Sequence, residues 1–154
     1  MAEKGSYKRK VHYYETDQMG IVHHSNYIRW FEEARIDMME KMGLGYEVME
    51  ADGIISPVLT VQADYLRMMR FGDTFRVKCF IKEYNGIKLT VGYEVIKEST
   101  GMVHSRGTTK HCFIDKTGRP LSLKQAHVKF HEMFKKGLET YRKEQPPKKV
   151  VKVK

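Results

Sequence analysis

The chain lacks the features that mark secreted, disulfide-bonded or membrane-spanning proteins. It has only two cysteines among 154 residues, Cys79 and Cys112, without CxxC spacing. No apolar run approaches the roughly 20 residues that cross a bilayer, and the N-terminal stretch MAEKGSYKRK has no apolar segment typical of a signal peptide. We therefore expect a cytoplasmic protein with no integral membrane segment, whose cysteines are reduced thiols on strands.

Positive charge is concentrated at the C-terminal end. Residues 142–154 hold six basic side chains and one acidic side chain, which is +5 of the net charge of +9. Paired prolines and alternating Lys and Val there predict a mobile basic tail, so we expect a single domain over residues 1–141. The tail lacks interleaved aromatic residues and the body carries no nucleic-acid-binding motif, so no nucleic acid partner is expected.

One long helix is predicted in the first third of the chain. Ser25 or Asn26 can cap its start, and Gly43 is suited to a left-handed residue that ends it. The apolar residues between these ends recur at helical spacing and form a wide stripe, so the helix should be largely buried. They are Tyr27, Ile28, Trp30, Phe31, Ala34, Met38, Met39 and Met42.

The remainder predicts strands and a second long helix. Alternating apolar and polar residues indicate five mostly antiparallel strands, at 8–14, 59–65, 75–82, 87–95 and 102–114. Asn85-Gly86 predicts a type I′ hairpin, residues 44–53 a linker, and Ser122 with Gln125 a capping box that starts the last helix. A curved sheet wrapped around the first helix would cover it, which is an α+β fold with an extra C-terminal helix.

A short polar segment joins the first strand to the long helix. It contains the carboxylate of Asp17 and the imidazoles of His23 and His24. The first N–H groups of a helix have no partner inside the helix and can bind an anion. Acid, base and free donors therefore lie close together in the sequence, and we take this segment as the chemical centre.

The residues around this centre form an extended pattern. Its elements are Tyr14-Glu15-Thr16-Asp17, Gly20-Ile21-Val22, His24, Asn26-Tyr27, Ala34-Arg35, Gly53-Ile54, Asp64-Tyr65-Leu66-Arg67 and Gly72-Asp73. The pattern covers roughly Tyr7 to Pro120 and resembles the hot-dog-fold acyl-CoA thioesterases. It is most similar to the 4-hydroxybenzoyl-CoA thioesterase-like branch, which includes acyl-CoA thioesterases associated with the Tol–Pal system. Gln18, Met19 and Met68 depart from the residues frequent in that family.

The resemblance implies hydrolysis of an acyl-CoA thioester without metal or cofactor. Asp17 would act as nucleophile or as general base, two roles that the sequence does not separate. Backbone N–H groups at the helix start, that of His24 foremost, would form the oxyanion hole, and the His24 side chain assists in some relatives. His23, Tyr14 and Tyr27 would line the site. Without the resemblance, Asp17 is better interpreted as a turn former.

The resemblance also implies partners and leaves two alternatives. CoA phosphates need basic residues; the candidates are Lys88, which the resemblance favours, with Arg67, Arg70 and Arg106. Hot-dog domains pair as homodimers with shared active sites and often pair again as homotetramers. A hot-dog dehydratase is one alternative, although Asp17 before Gly20-Ile21-Val22 argues against it. A non-catalytic acyl-CoA binding protein is the other.

Two further patterns favour ordinary surface chemistry. His127 and His131 stand four apart on a predicted helix, but no third metal ligand is near, so exposed histidines are favoured. Glu32 and Glu33 lie on the long helix, where some hot-dog thioesterases place a catalytic carboxylate. Helical ion pairs four residues apart explain this helix edge better. These pairs are Arg29–Glu33 and Asp37–Lys41.

Overall fold

Five antiparallel strands form one open sheet in the computed structural model, which describes residues 6–146. The strands are β1 (Ser6–Lys10), β2 (Val58–Tyr65), β3 (Thr74–Tyr84), β4 (Lys88–Lys97) and β5 (Val103–Cys112), in the order β1-β3-β4-β5-β2. The helices are α1 (Ser25–Lys41), α2 (Tyr46–Ala51), α3 (Leu123–Ala126) and α4 (Val128–Glu144). This is the predicted α+β architecture.

The inner face of the sheet packs on α1. Trp30 lies against Phe75 with ring centroids 4.2 Å apart, and Phe31 stacks on Tyr93 at 4.5 Å. All four side chains are 1% exposed or less. These contacts place the start of α1 beside one end of the sheet, where the polar segment enters.

A buried polar chain also links α1 to the sheet. Arg35 donates from Nε to the Tyr46 hydroxyl at 2.7 Å and from Nη1 to the Tyr93 hydroxyl at 3.0 Å. The Tyr93 and Thr109 oxygens are 2.6 Å apart. Hydrogen bonding makes the burial of these polar groups tolerable.

The first strand is shorter than the predicted span of residues 8–14. It ends at Lys10, and Tyr13–Glu15 forms a single 3-10 turn. The Glu15 carboxylate accepts the His12 N–H at 2.7 Å, and the Glu15 N–H donates to the His12 carbonyl oxygen at 3.0 Å. These two bonds curl the chain away from the sheet. Residues 44–53, predicted as a linker, contain the short helix α2.

The hairpin between β3 and β4 is present, but the type I′ assignment is wrong. That turn needs positive φ at both central residues, and among residues 6–146 only glycines have positive φ. Gly86 has φ of +90°, whereas the Asn85 side chain accepts the N–H groups of Ile87 at 3.0 Å and Lys88 at 2.7 Å. This side-chain bonding holds the turn.

The C-terminal helix is interrupted near its start. Ser122 precedes α3 but makes no side-chain cap bond, so the predicted capping box is wrong. His127, with φ −145° and ψ 74°, separates α3 from α4. The buried apolar stripe of α4 consists of Phe130, Met133, Phe134 and Leu138. The first three residues of the predicted tail, 142–144, belong to α4, and residues 147–154 lie outside the described residues.

The long helix begins at Ser25 with His24 as its cap residue, so the predicted cap at Ser25 or Asn26 is wrong, because both residues already lie in the first helical turn. Gly43 beyond the end of the helix has φ of +96°, as expected. Its burial is less complete than predicted, because Ile28 is 41% exposed. Glu33 contacts Arg9 of β1 at 2.8 Å instead of forming the predicted helical pair with Arg29.

The histidines of the last helix are half-buried, not exposed as favoured from the sequence. His131 Nδ1 lies 2.8 Å from the Tyr84 hydroxyl. Within residues 6–146, no three histidine, cysteine or acidic side chains cluster as a metal site, and no helix is long and apolar enough to span a membrane. Cys79 and Cys112 are unpaired and lie on strands, as predicted.

Candidate active site

Asp17 lies in a tight loop between the 3-10 turn and α1, formed by residues 16–22 and here called the Asp17 loop. Its N–H donates to the Ile21 carbonyl oxygen, and the Gly20 N–H donates to the Asp17 carbonyl oxygen, both at 2.9 Å. Gly20 has φ of +75°, a conformation that glycine adopts without strain. The Asp17 Oδ1 atom accepts the Met19 N–H at 2.8 Å, whereas Oδ2 has no hydrogen-bond partner within residues 6–146. Oδ2 is therefore free to take a proton or to attack a carbonyl carbon.

The start of α1 offers a free backbone donor. The Ser25 N–H donates to His23 Nδ1 at 3.3 Å, and the Asn26 N–H donates to the His23 carbonyl oxygen at 3.0 Å. The His24 N–H has no acceptor in the described part of the chain. Because a helix N-terminus is electropositive, this donor can stabilise an oxyanion.

Backbone bonds hold the loop against the helix start. Thr16 and Val22 form an antiparallel bridge, and the His23 N–H donates to the Glu15 carbonyl oxygen at 2.9 Å. The Val22 N–H also donates to the Met69 carbonyl oxygen at 2.8 Å. The carboxylate and the free donor are thus parts of one hydrogen-bonded unit.

Sequence reasoning missed Glu15 as a buried member of this unit. Its side chain is 3% exposed and contacts Arg9 of β1 and Trp30 of α1. These two partners come from separate elements and follow no local spacing. Nothing in the pattern around Glu15 therefore distinguished it from its polar neighbours.

Of the predicted lining residues, Tyr27 is buried and Tyr14 is exposed. Tyr27 is 3% exposed and packs between Trp30 and Tyr65, with ring centroids 4.9 and 5.1 Å away. Burial, with a smaller contribution from Tyr65, raises the pKa of Tyr27 to about 12, so Tyr27 stays protonated near neutral pH. Tyr14 is 74% exposed, with its hydroxyl 2.9 Å from His12 Nδ1.

The two neighbouring histidines lie together on the surface at the helix start. Their ring centroids are 4.1 Å apart. His23 Nδ1 is 2.8 Å from the Ser25 hydroxyl, and the His24 carbonyl oxygen accepts the Tyr65 hydroxyl at 3.2 Å. The structure therefore brings Asp17, His23, His24 and Tyr27 to one end of the sheet.

The predicted CoA-binding residues lie at opposite ends of the sheet. Arg67 and Arg70 are exposed on the connection that follows β2, and Arg70 forms a bridge with Ile21 of the Asp17 loop. Lys88 is exposed at the start of β4, opposite Cys112, whereas Tyr65 lies opposite Ser105. Seven residues of β5 separate these positions, about 23 Å at roughly 3.3 Å per residue. One chain thus does not bring Lys88 to Asp17.

Two cavities lie on the outer face of the sheet. The larger, about 600 Å³, is lined by side chains including Lys82, Arg106 and Tyr141. The smaller, about 430 Å³, includes Lys88 and Arg142. Neither is lined by residues of the Asp17 loop. A free carboxylate oxygen and a free backbone donor instead occur together at that loop and the adjoining start of α1.

Comparison with known proteins identifies the family. The profile of the thioesterase-like superfamily matches residues 11–151. The Bacillus subtilis (strain 168) protein YneP, provisionally named an acyl-CoA thioesterase, is 34% identical over 129 residues, which are 83% of this chain and 93% of YneP.

Solved structures agree with this assignment. A DHNA-CoA thioesterase from Staphylococcus aureus superposes with a TM-score of 0.84 at 30% identity, over 92% of this chain and 95% of that one. The hypothetical protein SAV2348 from Staphylococcus aureus, solved in complex with CoA, has a TM-score of 0.76 at 22% identity, over 96% and 89% of the two chains; this second likeness concerns the fold. The chain belongs to the thioesterase-like superfamily and is a thioester hydrolase with the hot-dog fold.

Proposed function

We propose that the protein hydrolyses an acyl-CoA thioester to the free acid and CoA, with Asp17 as the catalytic carboxylate. The observation that carries this proposal is the free Asp17 Oδ2 atom on a loop bonded to a helix start whose His24 N–H is also free. Thioester hydrolysis needs these two functions, a base or nucleophile and a donor for the oxyanion.

Asp17 can complete the hydrolysis either as a general base or as a nucleophile. As a general base, Asp17 takes a proton from water while the water oxygen attacks the thioester carbonyl carbon. The carbonyl oxygen becomes an oxyanion that accepts the His24 N–H, and its collapse breaks the C–S bond. The departing CoA thiolate takes the proton from Asp17, which restores the carboxylate. As a nucleophile, Asp17 attacks the carbonyl carbon, and the C–S bond breaks with release of the CoA thiolate. Water then cleaves the resulting anhydride to give the free acid and to restore the Asp17 carboxylate.

Basic residues near this loop are the proposed binding site for the phosphate groups of CoA. Arg70 forms a bridge with Ile21 of this loop, and Arg67 lies three residues before Arg70 in the same connection. Both side chains are exposed and suit the phosphate groups. SAV2348, which shares the fold, has been solved with CoA, which supports a CoA substrate here.

A homodimer would bring Lys88, a further candidate for binding CoA, close to the Asp17 loop of the other copy. If β2 pairs antiparallel with β2 of a second copy, the start of one strand meets the end of the other. Lys88 of the partner subunit would then approach the end of the sheet that carries Asp17. We therefore propose a homodimer with composite sites, a domain over residues 1–141, and no catalytic role for residues 142–154.

The substitution Asp17→Asn tests the chemistry. Asn keeps the size and the Oδ1 acceptor but cannot take a proton or attack. We expect kcat to fall about 100-fold or more, the usual scale for loss of a general base, with the fold intact. Released thiol from a panel of acyl-CoA substrates measures the rate.

The chain offers a matched control in Asp115. Its Oδ1 atom accepts the Thr117 N–H at 2.8 Å, two residues ahead, just as Asp17 accepts the Met19 N–H. Asp115→Asn therefore makes the same change in the same kind of turn and should leave kcat unchanged. Normal turnover in Asp17→Asn would show that Asp17 is only a turn former, and no turnover of any substrate by the unsubstituted protein would favour a binding protein.

A further inference from the structure

Glu15 is a buried carboxylate two residues before Asp17 that the proposed chemistry does not use. It is 3% exposed, and burying a charge is costly unless it is paired and hydrogen-bonded. Two features of its surroundings indicate what it does: its side chain and its backbone carbonyl are both bonded to the parts that hold the active site.

The side chain connects three elements. Oε1 accepts Arg9 Nη2 of β1 at 2.6 Å and the His12 N–H at 2.7 Å. Oε2 accepts the Trp30 Nε1–H of α1 at 2.7 Å. Both oxygens are therefore bonded, and the start of the Asp17 loop is held to the first strand and to the interior of α1.

The backbone of Glu15 holds the other side of the site. Its carbonyl oxygen accepts the His23 N–H at 2.9 Å and the Asn26 Nδ2–H at 2.9 Å. The Asn26 amide also donates to the His23 carbonyl oxygen at 3.3 Å and is itself 7% exposed. His23 directly precedes the free His24 N–H, so Glu15 contacts the helix start as well as the loop.

We propose that Glu15 is a positioning residue, which, with Asn26, sets the place of the Asp17 carboxylate relative to the His24 N–H. The proposal rests on the proposed function. Reacting groups must be held in near-attack geometry, and a misplacement of about 1 Å can cost on the order of 100-fold in rate. A residue that only stabilised the fold would change the melting temperature without changing kcat of the folded enzyme.

Glu15→Gln is the first test. Gln keeps the volume but replaces one acceptor oxygen with an NH₂ group, so one of the three donors loses its partner. We expect kcat to fall about tenfold or more, by the geometric argument above, while KM for the acyl-CoA changes little, because Arg67 and Arg70 are untouched. Kinetics are measured well below the melting temperature, with folding checked by circular dichroism.

Glu33→Gln is the matched control. Glu33 shares the same Arg9 partner, at 2.8 Å, but is bonded to no residue of the Asp17 loop. Glu33→Gln therefore removes one negative charge next to Arg9, as Glu15→Gln does, and kcat should stay unchanged. Should Glu15→Gln fail to fold, Asn26→Ala removes only the two amide bonds and should lower kcat in the same way.

The double variant Asp17→Asn/Glu15→Gln gives the decisive comparison. A residue that acts through Asp17 adds little once Asp17 is disabled, so the double variant should be no slower than Asp17→Asn alone. Multiplied losses, or normal kcat in both Glu15→Gln and Asn26→Ala, would overturn the positioning role. Normal kcat in Asp17→Asn would instead overturn the proposed function, so the two failures are distinguishable.

Discussion

At the scale of single residues, the Arg9 guanidinium binds two carboxylates, those of Glu15 and Glu33, and so holds the start of the polar segment. Arg9 contacts Glu15 at 2.6 Å and Glu33 at 2.8 Å, and its guanidinium lies 5.7 Å from the centre of the Trp30 ring. Burial acts to lower the pKa of Arg9, but hydrogen bonding and the charges of Glu33 and Glu15 outweigh it, and the pKa is raised. Arg9 therefore stays charged and compensates a carboxylate that would be costly to bury alone.

Removal of this cation should destabilise the fold strongly. Arg9→Met keeps much of the apolar stem but leaves Glu15 buried without its cation, which costs about 3–5 kcal/mol. Lys8→Met, next along the strand, is the control, because the Lys8 side chain is 58% exposed and its ammonium lies 3.9 Å from Glu98; it should cost under about 1 kcal/mol. Urea unfolding measures both, and equal stability of the two variants would contradict the role of Arg9.

At the scale of elements, α1 approaches the sheet closely at one glycine. A Cβ on Gly107 of β5 would overlap the Phe31 ring and lie 2.8 Å from the Gln62 carbonyl oxygen. The backbone oxygen is fixed by the β2–β5 pairing, so space cannot be made there cheaply. Gly92 on β4 differs, since the three atoms nearest to its Cβ would all be ring atoms of the half-buried Phe80.

Alanine substitutions at these two glycines test how closely α1 approaches the sheet. Gly107→Ala should cost about 1–3 kcal/mol, as overpacking in a filled core does. Gly92→Ala should cost less, because the Phe80 ring can turn toward solvent. Denaturant midpoints of the two variants give the comparison, and a Gly92→Ala variant that is the less stable of the two would count against the close approach of α1.

At the scale of the whole molecule, the two sheet edges differ. The β1 edge is only five residues long and carries exposed Lys8 and Lys10, both of which discourage pairing. The β2 edge is eight residues long, and its apolar side chains are 40–51% exposed. These are Val58, Leu59, Val61 and Tyr65. An apolar edge of this length is typical of a surface that a partner covers.

We expect the protein to sediment as a homodimer at micromolar concentration. Val61→Lys places a charge on the apolar edge and should shift the protein toward the monomer, with hydrolysis lost in parallel if the sites are composite. Ser6→Lys makes a similar change on the β1 edge and should leave dimer formation and hydrolysis unchanged. A monomer in the unsubstituted protein, or full activity in a monomeric Val61→Lys, would refute the composite site.

Local patterns determined the strands and the long helix of this fold. The alternation of apolar and polar residues predicted the strands of the sheet, and the helical stripe with Gly43 at its end predicted α1. Both are properties of neighbouring residues, so they can be seen in the chain order alone. The hot-dog fold and the thioesterase family were also identified correctly from the motif around Asp17.

Only the tertiary structure decided which polar residues are buried and which apolar residues are exposed. Glu15 is buried because Arg9 and Trp30, from different elements, satisfy both its oxygens. Ile28 is exposed although it belongs to the helical stripe, because no described part of the chain covers that side of α1. Burial depends on which distant segments meet, and that information lies in the packing of elements and not in the spacing of residues along any one of them.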